Sequence, residues 1–242
     1  MNILITGSEG VIGKVIKEDL SKDHNLTLLD QEKSDDLRTV QADICDLHEI
    51  LPHFKGIETI IHLAADVRNY INWVSLVNPN LTGTRNVYEA ASQHGIGRVI
   101  YASSLNVYPW SEIFRAGNQI TSDTSTSSSN DYGLLKILSE EVGRDYYRKY
   151  GIAVVNLRLG SVNVDDMPCG YANEKARDVD FSHWLSKRDV AGIVKASLNY
   201  KRFVSIPCCS ANLPCLVDLS YLKSELGYVP QDSSEKFTGN GG

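Results

Sequence analysis

The sequence predicts an α/β fold, a doubly wound parallel sheet with helices on both faces. Three observations carry this. Short apolar runs rich in Ile, Val and Leu recur along the 242 residues. Amphipathic segments that stop at glycine fall between them. A glycine-rich turn separates the first apolar run from the first helical pattern. Continuous apolar strands alternating with helices fit a sheet buried on both sides, the arrangement of parallel βαβ units.

The elements follow in order. "NILIT" (residues 2–6) is short, β-prone and ends in glycine, so it reads as a buried strand. A helical pattern runs from about residue 11 to residue 20. "NLTLLD" (25–30), "TIIHLAA" (59–65) and "RVIYASS" (98–104) are the next strands. "IAVVNLRLG" (152–160) and "FVSIP" (203–207) complete the set. "NLTGTRNVYEAASQHG" has helical spacing and stops at Gly95, and the segment opening "NDYGLLKILSE" runs as a helix to Gly151. Before it lies "ITSDTSTSSSND" (120–131), too rich in Ser and Thr to pack as core. It predicts a loop, either a solvated connector or, from its position, a mobile flap over a ligand. The tail, residues 233–242, is expected to fray. There is no internal repeat.

Composition narrows the partners. Hydrophobic content of 42% and charged content of 22% are ordinary for a globular protein. A formal net charge of -6 argues against a nucleic-acid surface, which needs a basic stripe, and against an anionic membrane partner. No apolar run approaches the roughly 20 residues of a spanning helix. The N-terminal "MNILITGSEG" lacks a basic segment and its apolar run is too short for a signal peptide, so a cytoplasmic protein is expected. The five cysteines, Cys45, Cys169, Cys208, Cys209 and Cys215, are odd in number and form no C-x-x-C pair. They fit neither a disulfide framework nor a zinc site, and reduced, partly buried thiols with no metal are expected.

The turn "TGSEGVIG" (6–13) carries Gly7, Gly10 and Gly13. Glycines here permit a tight turn, close approach of backbone to a pyrophosphate, and close helix–strand packing. The helix that follows offers free N–H groups and a positive dipole end, with Val11 and Ile12 at its start. Its setting between strand and helix is the context the dinucleotide motif requires. Asp30 ends the second strand, a little over the roughly 20 residues beyond the glycines expected of a ribose-binding acid. A carboxylate there accepts from both ribose hydroxyls and repels a 2′-phosphate. Glu9 adds to that repulsion and no arginine follows Asp30, so NAD is expected rather than NADP.

T-G-x-x-G-x-x-G together with Tyr132-x-x-x-Lys136 resembles the short-chain dehydrogenase/reductase superfamily. The resemblance is to its extended branch, the NAD-dependent epimerase/dehydratase family, and covers roughly residues 1–165. It implies a Rossmann-type sheet. Residues 1–160 would form the dinucleotide-binding core and residues 161–242 a small substrate-facing part of one single domain. It implies that Asp43 and Ile44 of "ADICD" flank the adenine and that Leu63, Ala64 and Ala65 line the cofactor. It marks Asn80 as a characteristic asparagine and Ser104 as the catalytic hydroxyl. It also implies a homo-oligomer, and a structural rather than chemical role for His62.

Tyrosine has an unperturbed pKa near 10, so as a base it needs that value lowered. A nearby lysine ammonium and an oxidised nicotinamide both favour the phenolate. Residues four apart on a helix share a face, so Tyr132 and Lys136 reach one cofactor together. The helical projection sets Leu135, Leu138 and Val142 on a separate stripe, leaving the pair outside the core. By resemblance, Lys136 would also hold the nicotinamide ribose.

The reaction narrows further by resemblance. Family dehydratases place Asp–Glu after the catalytic hydroxyl, where this chain has Leu105 and Asn106, so dehydration is not expected. The short C-terminal part suits a substrate without a nucleotide. "ASS", "YGLLK", "LRLGSV" and "HWLSKRDVAGIV" are similar to uronate dehydrogenases, which oxidise a free uronic acid at C1. Departures fall around the substrate. Leu105 and Asn106 replace Asn–His, Asp66 and Val67 stand where a serine is usual, and Leu135 replaces Ser or Thr. The substrate-facing candidates are Asp66, Ser104, Asn106, Ser161 and Arg177. Asp66 would repel a carboxylate, which Arg68 or Arg177 could receive. The expected activity is NAD-dependent hydride transfer at a hydroxyl carbon of a small sugar or sugar acid, a small-molecule substrate. An epimerase that recycles its NAD and a non-catalytic cofactor sensor are the other readings. The intact Ser104, Tyr132 and Lys136 set argues against the sensor.

Overall fold

The structure is a computed structural model that describes residues 1–68, 72–170 and 177–238. Its strands are β1 (Asn2–Thr6), β2 (Asn25–Asp30), β3 (Thr39–Gln41), β4 (Thr59–His62), β5 (Arg98–Ser104), β6 (Ala153–Leu159) and β7 (Phe203–Cys208). They form one sheet in the order β3-β2-β1-β4-β5-β6-β7. Every pairing is parallel. The described helices are α1 (Val11–Leu20), α2 (Leu47–Ile50), α3 (Trp73–Val77), α4 (Gly83–Gln93), α5 (Trp110–Arg115), α6 (Asp131–Tyr150), α7 (Asp178–Ser182), α8 (Lys187–Ser197) and α9 (Ser220–Leu226). After β1 the chain winds outward to β2 and β3, then crosses back to place β4 on the other side of β1. The loops after β1 and β4 therefore diverge and leave a crevice at the carboxyl end of the sheet.

Side chains alternate across each strand, and both faces are buried. Ile3 and Ile5 pack with Ile16 and Leu20 of α1 and Val190 and Val194 of α8. Leu4 and Ile60 pack on the opposite face with Val87 and Tyr88 of α4 and Tyr146 of α6. β7 and α8, from the C-terminal part, thus complete the same sheet and the same core. The sequence pattern missed β3 as an apolar run. Its three residues, "TVQ", are partly exposed and leave no such run to read. β4 also stops at His62, short of the predicted Ala65.

α4 and α6 begin and end as the residues dictate. α4 continues a π-helical turn, Asn78–Thr82, and is closed by Gly95 at φ 66°. Asn130 caps α6 by accepting from Gly133 N–H at 2.8 Å, and Gly151 stops it at φ 71°. The expected apolar stripe of α6 is not its inward face. Leu135 is buried, but Leu138 is 38% exposed, while Tyr132, Lys136, Ser139 and Glu140 are buried. The projection failed because the surroundings of α6 are polar. Lys136 Nζ donates to Ala102 O at 2.7 Å and Ser139 Oγ to Asn80 O at 2.9 Å. A buried carboxylate completes the face. Glu140 accepts from Ser103 Oγ at 2.6 Å, from Arg158 Nε and Nη2 at 2.9 and 2.7 Å, and from Ser205 Oγ at 3.0 Å. Four donors satisfy its oxygens and tie α6 to β5, β6 and β7.

The described part of the tail, residues 233–238, packs where fraying is expected. Ser234 is buried and the Phe237 ring meets Trp184 edge-on at 5.2 Å between centroids. Residues 239–242 lie outside the described residues. No described helix is long and apolar enough to cross a membrane.

The ion pair gives a stability prediction. Glu140→Ala strands the buried Arg158 guanidinium and is expected to cost about 3–5 kcal/mol in urea unfolding. Leu138→Ser, on the exposed side of the same helix, is expected to stay within about 0.5 kcal/mol. Equal losses would overturn this account of the α6 face.

Candidate functional site

The glycine turn lies at the crevice. Gly7 has φ 72°, and a Cβ there would sit 2.7 Å from Ala64 N. A Cβ on Gly13 would overlap the Gly7 carbonyl. The packing of β1, α1 and the β4 loop thus demands these two glycines. Gly10 meets only Gly7 O, at 3.4 Å, so its bareness opens the outer side of the turn. As the α1 N-cap it makes no side-chain hydrogen bond, leaving the first-turn amides aimed outward.

Gly7, Gly10, Val11, Ile12 and Gly13 line a cleft of about 1020 Å³, together with Asp30, Asp43, Ile44, Leu63, Ala64, Ala65 and Asp66. These residues fit a dinucleotide. Asp30, 9% exposed at the end of β2, accepts from Glu9 N–H at 2.8 Å and Glu32 N–H at 3.0 Å. Each carboxylate oxygen keeps capacity for a hydroxyl. Asp43 accepts from Cys45 N–H at 2.9 Å, and Ile44 packs where a Cβ on Gly83 would stand. A second hollow, about 440 Å³, adjoins Asp30 and mixes Lys14, Lys17 and Lys33 with Glu9, Glu32, Asp35 and Asp36. Lys17 is already paired with Glu9 at 2.7 Å and lies 3.7 Å from Asp36. A 2′-phosphate beside Asp30 would therefore meet more carboxylates than uncommitted charge from Lys17.

Asn80 does not line the cleft. It is buried and braces the wall, donating Nδ2 to Asp66 O and Leu76 O, both at 3.0 Å. His62 is also a brace. Thr84 gives its proton to Asn80 O at 2.7 Å, so it accepts from His62 Nε2 at 3.1 Å, and Thr6 Oγ1 then donates to Nδ1 at 2.7 Å. Burial, with a smaller push from Lys136, lowers the imidazole to about 3, so it stays neutral.

Ser104 ends β5, and its Oγ accepts from Asn106 N–H at 3.1 Å and Asn106 Nδ2 at 3.2 Å. With both lone pairs engaged, the hydroxyl proton is directed away from Asn106. Tyr132 lies in the first turn of α6, where the Ser104 hydroxyl pulls its phenol toward the phenolate. Lys136 is 2% exposed, its Nζ 4.6 Å from the Tyr101 ring centroid and 5.5 Å from that of Tyr132. The charges differ from the sequence expectation. Burial raises the Tyr132 phenol well above its ordinary value, the Asp66 charge raises it further, and only Ser104 draws it down. Burial also pushes Lys136 down to about 7, against the pull of Glu140. Burial thus favours the neutral form of both groups in the chain alone.

The substrate-side candidates separate. Asp66 lines the cleft and is clamped by Arg68 Nε at 2.9 Å and Nη2 at 2.5 Å, which holds its carboxyl below the usual range. Ser161 follows β6, donating N–H to His183 O at 3.0 Å, and its neighbour Val162 lines the cleft. Arg177 is 68% exposed and paired with Asp180 at 3.0 Å, and it is not among the cleft-lining residues. The sequence reading missed three supports of Asn106. Trp110 Nε1 donates to Asn106 Oδ1 at 3.1 Å, Asn130 Nδ2 does so at 3.4 Å, and the His183 ring packs tilted against Trp110 at 4.7 Å between centroids. Asn130 had a signal, as an N-cap asparagine. Gly133 had one too: a glycine inside a helix often marks close packing, and a Cβ there would overlap Asn106 O. The Ser/Thr run is pinned at both ends, by Ile120 N–H to Leu216 O at 2.8 Å and Ser127 N–H to Val107 O at 2.9 Å.

Known proteins resemble this chain in sequence and fold. The chain is 30% identical to the L-arabinose 1-dehydrogenase (NAD(P)(+)) of Haloferax volcanii, over 96% of this chain and 97% of that protein. It is 28% identical to the NAD-dependent glucose-6-phosphate dehydrogenase of the same organism, over 99% and 96%. A mutant uronate dehydrogenase from Agrobacterium tumefaciens, solved in complex with NAD, superposes with a TM-score of 0.83 at 26% identity, over 98% and 87%. The NAD dependent epimerase/dehydratase family matches residues 3–163. The chain belongs to the NAD dependent epimerase/dehydratase family.

Proposed function

We propose that this protein is an NAD-dependent dehydrogenase that oxidises a hydroxyl-bearing carbon of a small sugar or sugar acid carrying no nucleotide. One observation carries the reading. Asn80 ties the helix of Tyr132 and Lys136 to the dinucleotide cleft: its Nδ2 donates to the carbonyl of Asp66 in the cleft wall, and its own carbonyl accepts from Ser139 of α6, which supports a reactive set of Ser104, Tyr132 and Lys136 beside that cleft. The similarity to sugar dehydrogenases over nearly the whole chain supports it. The proposal includes a cytoplasmic location and, by family resemblance, a homo-oligomer.

The Gly7–Gly13 turn would hold the pyrophosphate, Asp30 the adenosine ribose and Lys136 the nicotinamide ribose. The bound nicotinamide supplies the hydride acceptor. Lys136 spends one of its three donors on Ala102 O, and the others are available to ribose hydroxyls. Ser104, its proton directed outward by Asn106, would hold the substrate oxygen. Tyr132 would remove the hydroxyl proton. Asp66, with Arg68 fixed on it, would accept from a second sugar hydroxyl and favour neutral sugars over anionic ones.

A panel of aldoses, uronic acids and sugar phosphates with NAD, then NADP, tests the reading by absorbance at about 340 nm. Net NADH is expected with a free sugar, at a higher rate than NADPH. Sugar interconversion without net NADH would make the protein an epimerase instead. Tyr132→Phe is expected to lower turnover about 100- to 10,000-fold with little change in NAD affinity, and full turnover would remove Tyr132 from the mechanism.

Lys136 gives a pH prediction. Its folded pKa, about 7, lies below the ordinary lysine value. The unfolded chain then binds more protons between that value and about 10.4, so wild-type stability rises with pH across this window. Lys136→Met removes the burial cost. Its urea midpoint is expected to exceed wild type at neutral pH, with a gap that closes toward pH ~10. A gap independent of pH would contradict the buried-amine assignment.

A further inference from the structure

Cys209 follows β7 directly, and Cys215 returns to it across a short turn. Their Sγ atoms lie 3.4 Å apart. A disulfide needs about 2.05 Å, so a small rotation of the side chains would join them. The turn between them is held in place. Asn212 Nδ2 donates to Trp184 O at 2.8 Å and Ser182 O at 3.3 Å, and Ser234 N–H donates to Asn212 Oδ1 at 3.1 Å. The two sulfurs are thus neighbours by construction of the fold. Cys208 is excluded from the pair. It belongs to the core cluster on the α1 and α8 face, and its thiol meets Ile206 O at 3.2 Å.

The pair is also poised chemically. Cys209 is buried, whereas Cys215 is only half-buried. A small oxidant therefore meets Cys215 first. The Cys209 thiol hydrogen-bonds Cys215 and draws it below the ordinary thiol value, helped by the backbone at Val217 and Asn212, while Cys209 moves up. Thiolate character is what makes a cysteine reactive.

We propose that Cys209 and Cys215 form an oxidative modification site that closes to an intramolecular disulfide when a peroxide is present. Cys215 thiolate attacks one peroxide oxygen, the O–O bond breaks, and a sulfenic acid and one water result. The Cys209 thiol then attacks that sulfur, the S–O bond breaks, and a second water leaves. Two thiols lose two electrons and two protons, and the peroxide takes up both. The ring sits in a cluster with Leu105, Val107, Tyr108 and Ile120, beneath the turn that follows Ser104. Oxidation would therefore stiffen the floor of the substrate end. A reducing compartment keeps the pair open except under oxidant stress.

Treatment of the folded protein with hydrogen peroxide, followed by alkylation and intact mass, tests this. Wild type and Cys208→Ser are expected to lose about 2 Da reversibly with dithiothreitol. Cys209→Ser and Cys215→Ser are expected to show no such loss. In wild type, fragmentation of the tryptic peptide 203–223, which holds all three thiols, is expected to be suppressed only between residues 209 and 215. This readout stands if a variant fails to fold. Oxidation of the exposed Cys169 with no loss of mass from the pair would overturn the proposal, as would the loss persisting in Cys215→Ser.

Discussion

A lysine ammonium folded into the carboxyl end of a parallel sheet is the constraint on which the rest of this site depends. Lys136 has one backbone acceptor, Ala102 O, and the face of Tyr101. Taking an amine out of water disfavours its charge, so its surroundings have to supply the opposite sign. Glu140, one helical turn on, does this. That carboxylate is in turn buried, and Arg158 with Ser103 and Ser205 satisfies it. A chain of alternating charge thus runs from the cleft to the far strands. It explains why the inward face of α6 is polar, and why a helix with so few apolar inward residues is nonetheless fixed in place.

The same constraint governs reactivity. Without cofactor, the phenol of Tyr132 is raised and the amine of Lys136 is lowered, both by burial. Two adjacent groups that each resist their charged form do not make a base by themselves. Ser104 is the one neighbour that favours the phenolate, and Asn106 orients it. Asn106 stands where dehydratases of the family place an acid, and Trp110, Asn130 and Gly133 fit it to that place. In the proposed mechanism, the positive charge and ribose hydroxyls of an oxidised nicotinamide cofactor would shift both groups toward their charged forms.

Much of this was legible in the sequence, for a local reason. The strands β1, β2, β4, β5, β6 and β7 are continuous apolar runs. The Gly7–Gly13 turn and Asp30 sit at fixed offsets from them. β3 was lost to periodicity because three partly exposed residues carry none. The burial of Lys136 was lost because its partners, Ala102 and Tyr101, come from a strand some thirty residues away. Trp110 and His183 meet by packing alone. The closeness of Cys209 and Cys215 depends on a turn whose anchors, Trp184 and Ser234, are distant in the chain. Arg177 was a reasonable anion candidate by residue type, but its neighbour Asp180 has taken its charge.

The dependence of Tyr132 ionisation on cofactor tests the central claim most directly. A pH titration of tyrosinate absorbance, wild type minus Tyr132→Phe, isolates this phenol. The account predicts ionisation above the ordinary tyrosine range in the free protein and a downward shift when NAD is bound. A phenol already lowered in the free protein, or one that NAD leaves unmoved, would contradict it.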